Sequence, residues 1–227
     1  MLKRAEIRAA ATLLLLLLAS AGKSPAHAAS VDVQVLGPDG APVPDVAVFI
    51  TAAGAAGAAS APIIATATMD QVNTSFVPHI LIVQKGTAVD FPNSDIVAHH
   101  VYSFSKPNNF VLPLYKGDVH APITFAHDGI VILGCNIHDG MLGYIVVVDT
   151  SVFGTTDAAG RVSLELAAGM SDYDVHIWSP RIRDDQDSLQ QHASIDSNGD
   201  APLVFGLRKK LRPPHDSQSR AVQWSDY

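Results

Sequence analysis

The sequence predicts an all-β protein built as a sandwich. Apolar and β-branched residues come in short runs broken by Gly, Pro, Asn and Asp. No stretch of the exported part carries a sustained helical period, and turn signals recur between the runs.

Val31-Asp32-Val33-Gln34-Val35-Leu36 alternates as a half-buried strand does, and Pro38-Asp39-Gly40 turns the chain into a second strand over 46–50. Further strands are expected over 80–83, 87–91, 100–104, 123–125, 130–133 and 144–148. After these come 162–166, 175–178 and 203–207. The Ala/Gly/Ser tract over 52–61 has nothing to bury and reads as a linker. Residues 183–200 are polar and acidic and read as a long loop. Residues 208–227 read as a flexible tail, with Trp224 available to pin it.

The N-terminus has the three-part pattern of an export signal. Lys3, Arg4 and Arg8 precede an apolar run with six consecutive leucines, and Ala26-His27-Ala28 offers small residues for cleavage. The run is too short for a membrane span, so residues 1–28 are expected to be removed and the mature chain to lie in the periplasm. Cleavage removes four basic residues (Lys3, Arg4, Arg8, Lys23) and one acid (Glu6), which takes the formal charge from −7 to −10. Nucleic acid and anionic lipid both demand basic patches, so neither is an expected partner. A basic protein could be steered to such a surface.

Cys135 is the only cysteine in the 227 residues, so no internal disulfide can form. Buried, intermolecular and ligated states remain for its thiol. It opens Cys135-Asn136-Ile137-His138-Asp139-Gly140-Met141, which puts a thiolate, an imidazole and a thioether within one short loop. That donor set suits copper, with the thioether as the weak axial contact. One more histidine is needed, and His99 and His100 stand upstream. Neighbours on a strand point to opposite faces, so only one of the two can reach the ion.

Residues 63–149 resemble the cupredoxins, the plastocyanin and amicyanin family of small copper proteins. Phe76-Val77-Pro78 and Ile82-Val83-Gln84-Lys85-Gly86-Thr87 resemble the entry strands. The segment from Phe91-Pro92-Asn93-Ser94-Asp95 to His99-His100-Val101 resembles the one that supplies the first histidine. Ile123-Thr124-Phe125, Gly129 and Cys135 to Met141, followed by Gly143-Tyr144-Ile145-Val146-Val147, resemble the closing loop and last strand. The resemblance implies a Greek-key sandwich with one type 1 copper per chain. It implies His99, Cys135, His138 and Met141 as ligands, with His99 coming from another strand and locking the two sheets around the metal. His100 then stands where many cupredoxins carry an asparagine, and is expected in the second shell with Asn93 and Asn136. Asn93 and Asp95 are expected to shape the turn before His99.

The outer segments, 29–62 and 150–207, resemble a carboxypeptidase-regulatory-like, transthyretin-type sandwich interrupted by the copper domain. Bacterial proteins of this layout are often labelled methylamine-utilization proteins. The resemblance therefore implies electron transfer with a periplasmic redox protein, a cytochrome c or an amine-oxidising dehydrogenase. Gly140 departs from the bulky aromatic that relatives tend to carry there. The competing reading is copper handling, meaning binding and delivery. An enzyme is not expected, because four ligands leave no open position for substrate and no His-x-His pair marks a second centre. The remaining histidines (79, 120, 127, 176, 192 and 215) are expected on the surface or in loops, with His120 and His127 the candidates for an adventitious second metal site.

Overall fold

A computed structural model of the protein describes residues 29–54, 66–117, 120–167, 169–183, 188–194 and 201–215. The expected export segment, most of the Ala/Gly/Ser tract and Trp224 lie outside the described residues. Among those described there are strands and no α-helix, so the protein is all-β, and no helix is long and apolar enough to cross a membrane.

The strands between residues 66 and 148 build one sandwich. One layer contains β3 (Thr66–Thr68), β7 (Ala88–Asp90) and β10 (Ile123–Thr124). The opposing layer runs β6 (Ile80–Gln84), β12 (Leu142–Val148), β11 (Gly129–Cys135), β8 (Val101–Ser103) and β9 (Phe110–Val111). A small hairpin, β4 (Asp70–Val72) with β5 (Ser75–Val77), closes one side. Met69, Phe76, Val89, Phe91, Phe125 and Leu133 fill the space between the layers.

The flanking segments build a second sandwich. β1 (Ser30–Leu36) pairs with β14 (Arg161–Glu165) and with β17 (Leu203–Gly206). The facing sheet runs β13 (Phe153–Thr155), β2 (Ala47–Ala52), β15 (Asp172–Trp178) and β16 (Ser188–Ser194). Val33, Val35, Val48, Ile50, Val175 and Ile177 are buried between these layers.

The two sandwiches share a third apolar layer. Successive side chains of a strand face opposite ways. On β12, Ile145 and Val147 enter the first core, while Val146 and Val148 turn toward the flanking sheet. There they meet Ile80, Ala47 and Trp178, with Phe49, Ile82, Ile130 and Tyr144 packed around them. The central strands of the five-stranded sheet are thus apolar on both faces.

The structure corrects three expectations. Residues 183–200 are not one long loop, because β16 pairs antiparallel with the whole of β15. Its inward positions are Leu189, Gln191 and Ala193, and a polar residue at the centre hides the period. The stretch from Arg208 is held through His215 rather than frayed. The Arg212 guanidinium donates to the carbonyls of Pro180 (2.7 Å) and Ile182 (2.8 Å), and Leu211 packs on the flanking core. His176, expected on the surface, lies half-buried on β15. It stacks on Phe49 at 4.7 Å and shares a 2.9 Å hydrogen bond with Thr51.

Burial lowers the His176 pKa from its ordinary value of 6.5, against the opposing charge of Asp174. The unfolded chain therefore binds this proton more readily than the folded one. Stability should rise with pH below about 6.5 and fall away on acidification. In urea unfolding, His176→Phe should flatten the pH dependence of the midpoint in that range; an unchanged slope would rule out this contribution.

Candidate metal centre

β11 ends at Cys135, whose side chain lies in the core beside Leu133 and Val131. The chain then turns back into β12. Met141 N–H donates to the His138 carbonyl (3.2 Å), and Cys135 N–H donates to the Met141 carbonyl (3.3 Å). Gly140, at φ +81°, sits in the left-handed region that this reversal needs. The turn swings His138 back toward the sulfur it follows in sequence.

His99 stands just before β8 and is bridged to Tyr115. His99 N–H donates to the Tyr115 carbonyl (2.9 Å), and Tyr115 N–H returns the bond (3.0 Å). β8 pairs directly with β11, with Cys135 opposite Val101. The resemblance implied that His99 would lock two sheets together, whereas it stands beside the cysteine strand's own sheet. The strand that follows it, β8, is a neighbour of the cysteine strand in one sheet.

Three donor atoms converge here. His99 Nδ1 lies 3.0 Å from His138 Nδ1 and 3.8 Å from Cys135 Sγ, and His138 Nδ1 lies 3.5 Å from the sulfur. Metal–nitrogen bonds of about 2.0 Å and metal–sulfur bonds of about 2.3 Å span at most ~4.0 Å between nitrogens and ~4.3 Å between nitrogen and sulfur. Every observed separation is shorter, so the three atoms fit around a single ion. His99 is fully buried, Cys135 is 8% exposed and His138 is half-buried. Among the described residues this is the one cluster of at least three potential ligands, and His120 and His127 do not form another.

Met141 is 1% exposed and lies in the same core as Cys135. His100 lies outside the cluster, half-buried, with its ring 5.7 Å from that of Tyr102. Asn136 is exposed on the loop. Asn93 is buried and clamps two segments, donating through Nδ2 to the carbonyls of Val97 and Tyr115 at 3.0 Å each.

Sequence reasoning missed two groups. Asp95 does more than shape a turn, because its Oδ2 lies 3.0 Å from His99 Nε2. The Thr74 N–H above all, and then His99 and Ile96, hold its carboxyl below the usual carboxylate range despite burial. Tyr115 anchors the other side. Its hydroxyl donates to the Phe91 carbonyl (2.6 Å) and accepts from the buried Gln71, while Gln71 Nε2 also reaches the Pro92 carbonyl (2.9 Å). Burial raises the Tyr115 pKa. Burial also lowers that of His138, helped by the neighbouring His99. Ile96, Leu114 and Ile137 are exposed apolar residues on the loops that carry Asp95, Tyr115 and His138.

No family model and no curated protein matches this chain. Solved structures similar to it include a copper-containing nitrite reductase from Thermus scotoductus SA-01, at 28% identity and a TM-score of 0.35, covering 44% of this chain and 26% of that one. A purple cupredoxin from Nitrosopumilus maritimus is 23% identical, with a TM-score of 0.32 over 37% of this chain and 99% of its own. An oxidized mutant of amicyanin is 20% identical, with a TM-score of 0.33 over 44% and 99%. The chain thus spans about a quarter of the nitrite reductase.

Tyr115→Phe removes the hydroxyl on which Phe91 and Gln71 both depend. Leaving buried polar groups short of partners costs about 1–3 kcal/mol. The variant should lose that much in urea unfolding, and a loss below about 0.5 kcal/mol would show that the pair repartners freely.

Proposed function

We propose that the chain is an exported copper protein with one type 1 centre, held by His99, Cys135, His138 and Met141, that relays electrons in the periplasm. The observation that carries this reading is the convergence of one thiol sulfur and two Nδ1 atoms within 3.8 Å, beside a buried thioether residue. A thiolate, two imidazoles and a thioether are the donor set of blue-copper sites. Copper bound there would supply a one-electron couple.

The residues divide the work. Cys135 and His99 are buried and cannot swing away, so they would offer the same donor frame to either oxidation state. His138 is half-buried on the outer turn and gives the shortest way from the site to a partner. The apolar side chains of Ile96, Leu114 and Ile137 offer a surface for a redox protein, a cytochrome c or an amine-oxidising dehydrogenase, to cover. Burial of His99, Cys135 and Met141 favours retention over release, so it supports a carrier more than a delivery protein. Four ligands leave no position for substrate, which argues against an enzyme.

Copper added to the mature protein should give an intense visible thiolate-to-copper band and a narrow hyperfine splitting in spin resonance. Cys135→Ser and His99→Asn should abolish the band, and His100→Asn should keep it. A colourless wild type would overturn the proposal, and a coloured His99→Asn beside a colourless His100→Asn would reassign the histidine.

A further inference from the structure

The two imidazoles of the cluster are held unequally. His138 is half-buried on a turn. His99 is fully buried and gripped from behind, with its Nε2 3.0 Å from an Asp95 carboxylate that is itself only 6% exposed. An ionised carboxylate can only accept a hydrogen bond, so the proton of His99 belongs on Nε2. The Nδ1 lone pair is then left facing Cys135 and His138.

Asp95 is fixed from two separate segments. Its Oδ1 accepts the Ile96 N–H (2.7 Å), and its own N–H donates to Asn93 Oδ1 (2.9 Å). Its Oδ2 accepts the Thr74 N–H (2.7 Å) from the hairpin between β4 and β5. That hairpin turns on Asn73 at φ 51° and Thr74 at φ 55°. A β-branched residue in the left-handed region is strained, and such strain persists where the surroundings demand it. Here the strained turn aims its N–H at the carboxylate.

We propose that Asp95 is a positioning residue for the metal: it locks His99 in the Nε2–H tautomer and, as a buried negative charge one imidazole from the ion, favours the cupric over the cuprous state. The inference rests on the copper reading above. A carboxylate behind a ligating histidine raises its basicity and fixes its ring, and its removal typically costs 10–100-fold in metal affinity. A negative charge at that distance also stabilises the more highly charged ion more strongly.

Asp95→Asn keeps the shape and an acceptor oxygen but removes the charge. In competition titrations of the mature chain, affinity for Cu(II) should fall about 10–100-fold. Affinity for Cu(I) should fall less, so the reduction potential should rise. A folded Asp95→Asn protein with an unchanged potential and an unchanged ratio of the two affinities would overturn the inference while leaving the copper reading intact. A wild type that takes up no copper would overturn both. Should the variant fail to fold, nitrogen-15 spectra of the wild-type Zn(II) form still decide. A slowly exchanging proton on His99 Nε2 is expected, and a proton on Nδ1 or ligation through Nε2 would refute the assignment.

Discussion

Gly134 lies opposite Tyr102 and Cys135 opposite Val101, and this short ladder between β11 and β8 governs the edge where Cys135, His99 and His138 meet. A slip of one residue would turn Cys135 to the other face of the sheet and away from His99. The register is fixed sterically as well as by hydrogen bonds. The Tyr102 ring crosses directly over Gly134, where an added Cβ would lie 2.8 Å from Tyr102 Cζ. Only a residue without a side chain admits the ring, so the glycine before the cysteine sets where the cysteine points. His138 then needs only a local turn to arrive, because the same chain carries it back over the sulfur.

The second imidazole depends on a wider scaffold. His99 is tied by its backbone to Tyr115 and by its ring to Asp95, and Asn93 donates to the Val97 and Tyr115 carbonyls. Gln71 joins this set to the segment at Phe91 and Pro92. Loops that would otherwise be adaptable are thus cross-braced by buried hydrogen bonds. Rigidity at the donor atoms is what a site needs if its metal is to change charge without rearranging its ligands.

Much of this was legible in the sequence where the information was local. The Cys-x2-His-x2-Met spacing places its members on one turn by chain length alone, and the alternation of Val31, Val33 and Val35 marks an inward face. The choice of His99 over His100 needed the pleat and the family likeness together; the structure brings the His99 ring to the sulfur and leaves His100 beside Tyr102. What escaped was non-local or masked by polarity. Asp95 has the composition of a turn residue, and nothing in the sequence tells that the backbone of Thr74, 21 residues earlier, will orient it. β16 escaped because Gln191 interrupts its inward face, and the docking of Arg212 depends on carbonyls some 30 residues away.

The apolar layer shared by the two sandwiches bears on how such a protein can be taken apart. Ile80, Val146 and Val148 face Ala47 and Trp178 of the flanking sheet, so the outer side of the sheet that carries Cys135 is already an interior surface. An excised fragment spanning 63–149 would carry that side bare into solvent, a wide greasy face inviting self-association. Modular as the chain looks along its length, its two halves are welded, and engineering the smaller unit alone would first require recolouring that face with polar residues.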